Sequence, residues 1–362
     1  MSFSLQKKSD TLCFFSSFEE LIPQIAGLKK KYESYLIFSD DFVFNLYGED
    51  LADHLQTVGK PVSHILYPQG EMSKTWECAT ACWNQLIQSG ADRSTLLIAI
   101  GGGVTSDLAG FIAGIYMRGI DFVVIPTTLL SMTDAAIGGK SGINFGGVKN
   151  LLGIIRQPRR IYLCEKFLET LPERELISGM AESVKHAVIG SEELFALLSK
   201  KGILSGEKSD LREIIIKSAE IKIGIVSRDE QEEGERALLN YGHTFGHALE
   251  SATDYTKYLH GEAVSIGMSC AGYVGKKLGM VEEQFIEKQD SLCLSLGLPI
   301  KLPSFPDDET LLRLMKKDKK SISGKIRLIV PEKIGKVISI PDVPDIIILE
   351  ALKEKRLKDE RE

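Results

Sequence analysis

Residues 95–107, Thr95-Leu-Leu-Ile-Ala-Ile-Gly101-Gly102-Gly103-Val-Thr-Ser-Asp107, run from an apolar stretch through a turn made only of glycine into a helix start. A short apolar run that stops at turn residues fits a strand buried on both faces. Glycine admits backbone conformations closed to other residues and brings bare N–H groups close to a ligand. The next helix turns its positive end to the same point, so the stretch predicts a pyrophosphate site. The spacing GGGxxxD, near residue 100, differs from the GxGxxG of a first βα unit. It points to a dinucleotide phosphate without pointing to an ordinary dehydrogenase. Pro126-Thr127-Thr128, closing the following strand, adds two hydroxyls for the same ligand.

Working outward, residues 35–39, 64–68 and 121–128 also read as strands, with helices over 74–89 and 105–117. This alternation predicts an α/β fold with a parallel sheet and helices on its faces. From Pro172 the period becomes helical, over 174–189, 211–227, 235–252, 261–278 and 282–296. Only 326–330 and 336–340 look like strands there. The 362 residues exceed what one core serves. The expectation is an N-terminal parallel-sheet α/β domain, 1–172, which carries the dinucleotide turn, and a mostly α-helical domain, 173–362, which carries the histidines. The charged tail 352–362 reads as a fraying helix end.

The net charge of −6 comes with no basic stripe, so nucleic acid is not an expected partner and an anionic substrate would need a local basic cluster. The first residues lack the apolar core and cleavage site of a signal peptide. The most apolar stretch, 263–274, is too short to span a bilayer. Six cysteines form no CxxC, and Cys78 and Cys82, four apart on a helix, read as core thiols. Together these place the chain in the cytoplasm with reduced thiols, away from membranes, and a homodimer is expected.

Three of six histidines fall within eighteen positions. His243 and His247 share a helix face, and His260 opens the next helix. Imidazoles suit zinc, and a carboxylate commonly completes a catalytic site. Glu182 and Lys185 share one face of an apolar helix, where charges are costly unless paired or metal-bound. His186, four residues after Glu182, is a rival ligand that spacing leaves open. Cations also stand in glycine-rich or apolar surroundings: Arg118, Lys140, Lys149 beside Asn150, Lys185, Lys222, Arg236, and Lys319 with Lys320. They suggest a pocket for a phosphate and a carboxylate.

With these residues in view, the chain from about 35 to about 340 resembles the 3-dehydroquinate synthases. The matching runs are GGGVTSDLAGFIAGIYMRGIDFVVIPTTLLSMTDAAIGGKSGIN, VKNLLG, FLETLPERELISGMAESVK, SRDEQEEGERALLNYGHTFGHALE, LHGEAVSIGM and MKKDKKSISGKIRLIV. The resemblance implies metal ligands Glu182, His243 and His260, preferring His260 over His186. It implies NAD contacts at Gly101, Gly102, Gly103, Asp107, Thr127, Thr128, Lys149, Phe167 and Thr170, with Glu71 and Lys74 on the adenosine side. It assigns substrate binding to Arg118, Asp134, Lys140, Asn150, Lys185, Lys222, Arg236, Asn240 and one of Lys319 and Lys320, the latter taken as the contact. His247 matches a catalytic residue beside the transferred phosphate and Glu232 a proton acceptor.

The implied reaction converts 3-deoxy-D-arabino-heptulosonate 7-phosphate, a phosphorylated sugar acid, to 3-dehydroquinate. It proceeds by transient oxidation at C5 with NAD, assisted by Zn²⁺ or Co²⁺, then phosphate elimination, return of the hydride and aldol ring closure. The rivals are another cyclase such as 2-deoxy-scyllo-inosose synthase, a metal-dependent glycerol or polyol dehydrogenase, and an inactive binding protein. Three positions depart from the family pattern: Ser39-Asp40-Asp41 where Asn is frequent near the adenine, the alanines after Asp134, and Glu235 where an apolar residue is usual.

Overall fold

The computed structural model describes residues 2–4, 11–28, 30–203, 208–317 and 326–361. They form two compact units, Met1–Leu171 and Pro172–Glu362.

The strands of the first unit are β1 (Ser2–Ser4), β2 (Thr11–Phe14), β3 (Ser34–Asp40), β4 (Val62–Tyr67), β5 (Thr95–Gly101), β6 (Asp121–Pro126), β7 (Lys140–Phe145), β8 (Val148–Ile155) and β9 (Ile161–Leu163). Seven make one sheet in the order β1-β2-β9-β6-β5-β3-β4. Its pairs are parallel except β1 with β2. Every residue of β5 and β6 is buried, so both read as unbroken apolar runs rather than alternating ones. Gly101 pairs with Pro126, and the Thr127 N–H donates to the Gly101 carbonyl at 2.9 Å. The glycine turn and the two threonines thus lie side by side at the carboxyl end of the sheet, where open α/β folds bind ligands.

Residues 140–155 form a separate antiparallel hairpin, β7 with β8, a glycine-rich stretch to which the sequence analysis assigns no strand. Gly142 faces Gly153 across it, and a Cβ on either would lie 2.7 Å from a carbonyl of the opposite strand. The missing side chains that allow this approach also hide the strand periodicity.

The second unit is built on helices Glu173–Gly190, Lys208–Arg228, His243–Ala252, His260–Lys277 and Glu283–Ser295, with a small hairpin of β10 (Leu328–Lys333) and β11 (Lys336–Ile340). The helix expected over 235–252 is interrupted. A 3-10 turn, Glu235–Asn240, ends before Gly242, whose φ of +78° starts a new helix at His243. The expectation of a fraying tail is also corrected. Asp345–Asp359 is a packed helix in which Lys355, 1 % exposed, pairs with Asp359 at 2.9 Å and lies over the Tyr273 ring. Arg356 beside it donates to the Pro306 carbonyl at 2.6 Å. Charge patterning alone does not reveal such long-range partners. Among the described residues no helix is long and apolar enough to cross a membrane, and all six cysteines are free thiols.

Candidate functional site

The helix Gly103–Ile115 begins with no side-chain cap at Gly102, so its first N–H groups face the turn without a side-chain acceptor. A Cβ on Gly101 would fall 2.0 Å from Thr105 Oγ1, and one on Gly102 would lie 3.1 Å from Thr128. The turn therefore stays bare backbone at a helix N-terminus, which fits a pyrophosphate. One turn into the helix, Asp107 Oδ2 accepts from Lys74 Nζ at 2.6 Å, and Lys74 Nζ also donates to Asn150 Oδ1 at 2.6 Å. Burial works against the charge on Lys74, but Asp107 and Glu71 outweigh it and raise its pKa. Asp107, Lys140 and Asn150 line a cavity of about 310 Å³.

Asp134 is half-buried in the turn after β6, and Lys149 is half-buried in β8. Phe167 is a core residue packed on Tyr47 and Phe15, and Thr170 shares a hydrogen bond with Tyr47. Arg118 is exposed just before β6 begins. Six strand residues separate it from Thr127, roughly 20 Å at about 3.3 Å per residue, so it stands near the amino end of β6 while the glycine turn is at the carboxyl end of the sheet. The departure at 39–41 has local uses: Ser39 Oγ donates to the Ile100 carbonyl at 2.8 Å, and Asp40 caps the Val43 N–H at 2.8 Å.

In the second unit, close packing at glycines brings the imidazoles together. A Cβ on Gly267 would lie 2.0 Å from the Gly242 carbonyl, and one on Gly261 would lie 1.8 Å from the Ser178 carbonyl. The Gly261 N–H donates to Ser178 Oγ at 3.1 Å. Ser178 stands one helical turn before Glu182, so this contact sets His260 against that carboxylate. Glu182 is fully buried. Its Oε1 lies 3.7 Å from His243 Nε2 and 3.6 Å from His260 Nε2, while Oε2 pairs with Lys185. Three ligand atoms bonded to one zinc at about 2.0–2.2 Å would stand roughly 3.3–3.6 Å apart in a tetrahedron. One carboxylate and two imidazoles at these separations fit a catalytic divalent metal, and each such group offers a ligand atom within 4.8 Å of the others.

The far nitrogens of both rings are also placed. His243 Nδ1 faces the Tyr241 carbonyl at 3.1 Å, and His260 Nδ1 faces Glu250 Oε2 at 3.5 Å. Such outer partners fix the tautomer and aim Nε2 at a metal. Burial, then the Lys185 ammonium, hold His243 well below its ordinary pKa, which keeps it a neutral donor. Burial opposes charge at His260 too, but Glu182 and Glu250 outweigh it and push its pKa up to about 10. His247 stands next to the cluster, its ring 5.5 Å from His243 and 6.0 Å from His260. His186 is buried on the Glu182 helix.

Lys222 and Arg236 are also buried, with Arg236 Nη1 donating to the Glu230 carbonyl at 2.6 Å. Asn240 Nδ2 donates to Glu232 Oε1 at 3.1 Å, and Glu232 holds a positive φ of 62°. Asp229 organises the loop by accepting from the N–H groups of Glu233, Gly234 and Arg236 at 2.8–2.9 Å. Those bonds, the one from Arg236 foremost, hold its carboxyl below the usual range. Glu235, the departure from the family pattern, pairs with Arg228 at 2.6 Å. Lys320 lies outside the described residues. Sequence reading missed Glu250, Asp229 and Asn144. Glu250 had one available signal, its place three residues after His247 on the same face.

A dinucleotide turn on an α/β unit, with a carboxylate–imidazole cluster on a helical unit, is the arrangement of the sugar phosphate cyclases. The fold matches a 2-epi-5-epi-valiolone synthase from Streptomyces hygroscopicus, solved with NAD+ and Zn2+ bound, at a TM-score of 0.89 and 27% identity over 99% of both chains. Family models described as 3-dehydroquinate synthase N-terminal and C-terminal match residues 64–178 and 179–321. The 3-dehydroquinate synthase of Thermodesulfovibrio yellowstonii is 44% identical over 83% of this chain and 84% of its own length. That of Nostoc punctiforme is 40% identical over 93% and 94%. The chain belongs to the 3-dehydroquinate synthase family, whose members are phosphate-eliminating lyases.

Proposed function

We propose that the chain converts 3-deoxy-D-arabino-heptulosonate 7-phosphate to 3-dehydroquinate and phosphate in the shikimate pathway, with NAD at the glycine turn and Zn²⁺ or Co²⁺ at Glu182, His243 and His260. The observation that carries the reading is Glu182 Oε1 lying 3.6–3.7 Å from both imidazole Nε2 atoms while Lys185 holds its other oxygen. When bound, NAD accepts and returns a hydride and the divalent ion polarises the substrate's hydroxyls. Gly101, Gly102 and Gly103 offer N–H groups to the pyrophosphate, with Thr127 and Thr128 beside them. Asp107, Lys74 and Glu71 complete the cofactor side. Lys140 and Asn150, facing the same cavity, bind and orient the substrate. Lys185 orients Glu182 and supplies a cation to the substrate's oxygens. Arg236, Asn240 and Lys222 hold its anionic groups, and Lys320 is assigned the same part.

His247 stands beside the leaving phosphate and Glu232 takes a proton. The other residues position the substrate and stabilise its charge. We place the enzyme in the cytoplasm as a homodimer.

A cyclase returns its hydride, so phosphate should accumulate from the heptulosonate phosphate with NAD at catalytic concentration and no rise in NADH absorbance. A ratio of NADH to phosphate near one, or NADH made from a simple polyol, would place the chain among the dehydrogenases instead.

A further inference from the structure

We propose that Asn144 is a positioning residue for this reaction, a strut that ties the cofactor-side segment 71–74 to the substrate-side residue Asn150. The inference rests on the functional reading above. Asn144 lies in β7 where the hairpin register shifts between Ile143 and Phe145. Its backbone N–H donates to the Lys74 carbonyl at 2.7 Å. Its side-chain Nδ2 donates to Glu71 Oε1 at 2.9 Å, and its Oδ1 accepts from the Asn150 N–H at 2.9 Å. A carboxylate accepts and a backbone N–H donates, so the two partners fix which way the amide points.

Asn150 needs such a hold. Its φ of 50° is left-handed, a region that asparagine enters more readily than most residues but holds through local hydrogen bonds. In that conformation its Oδ1 accepts from Lys74 Nζ at 2.6 Å, and the same Nζ donates to Asp107 Oδ2. Glu71, Asn144, Asn150 and Lys74 therefore close a polar ring, with Lys74 Nζ 3.7 Å from Glu71 Oε1. Backbone strain held by neighbouring hydrogen bonds is typical of sites that must be preorganised. Removing Asn144 would free Asn150 to relax out of the cavity it lines with Lys140 and Asp107, and would leave Lys74 with one acceptor fewer.

Two substitutions separate the arms of the strut. Asn144→Ala removes both side-chain bonds. Asn144→Asp keeps an acceptor for the Asn150 N–H but loses the donor and sets a carboxylate against Glu71. The readouts are substrate KM, NAD dissociation followed by the fluorescence of the tryptophan pair Trp76 and Trp83, of which Trp76 is 44% exposed and two residues after Lys74, and Tm. Asn144→Ala should raise both substrate KM and NAD dissociation about five- to tenfold. Asn144→Asp should raise NAD dissociation alike while substrate KM stays near wild type. Unchanged constants in Asn144→Ala, or identical losses in both variants, would overturn the assignment. If Asn144→Ala does not fold, the split in Asn144→Asp decides alone. If the wild-type chain releases no phosphate, the functional reading fails, and the strut is then judged on the NAD titration.

Discussion

His243 and His247 sit four apart on one helix, yet it is His243 whose Nε2 faces Glu182, while His247 groups with Glu250 and His260. Spacing gives the shared face and leaves the choice to the neighbouring helix. The same holds for His186 and His260, equally eligible by type. Replacing His243 or His260 with Ala should strip the metal from the purified protein, whereas His186→Ala should retain it. Full occupancy in the His260 variant, measured by elemental analysis, would remove His260 from the ligand set. Glu250 acts through His260 Nδ1, so Glu250→Ala should weaken metal affinity by about ten- to a hundredfold, the usual cost of losing an outer partner. Competition with a chromogenic chelator reads this directly. Sequence reading proposed this ligand set through type, spacing and family resemblance. It missed Glu250 because a carboxylate on a helix is ordinarily a surface residue, and only the fold buries it.

The glycine turn, the loop 229–240 and the helix pair 243–252 and 260–277 differ in how much of each a sequence discloses. The turn is legible because a buried strand, three glycines and a helix start follow one another directly. Gly102→Val should therefore raise NAD dissociation at least tenfold by blocking backbone approach. Titration with unaltered affinity would make the turn structural only. The loop is less legible, since Asp229 is one acid in an acidic run. Its folded pKa is depressed, so its contribution is present above the ordinary carboxylate range and lost as pH falls through the folded value. Asp229→Asn imitates the protonated form at neutral pH and should raise substrate KM several-fold with NAD affinity unchanged. The helix pair is the least legible. Its contact depends on Gly267 meeting the Gly242 carbonyl, partners that no local pattern connects.

At the scale of the molecule, the change from strand–helix alternation to helical period near residue 172 reflects two different cores. Buried parallel strands leave apolar runs, and helices leave a 3.6-residue period. Both signals are local, so the architecture was readable. The β7–β8 hairpin was not, because its glycines hide the strand period, and neither was the packed helix 345–359, because distant partners hold it. Cofactor linkage gives a test of the whole chain. NAD at a hundred times its dissociation constant should stabilise the native state by about 2.7 kcal/mol, seen as a rise in Tm. Chelation should abolish phosphate release, and Zn²⁺ or Co²⁺ should restore it.

Lys74, at 3% exposed, and Lys185 and Lys355, at 1% each, are nearly sealed from solvent. An amine-acylating reagent should leave these three untouched while it modifies exposed lysines throughout the folded chain. Each becomes a built-in gauge of local opening. Acylation of Lys74 reports on the α/β unit, and acylation of Lys185 and Lys355 reports on the helical one. Peptide mass mapping during mild denaturation would then tell which unit yields first, with no residue replaced to introduce a label.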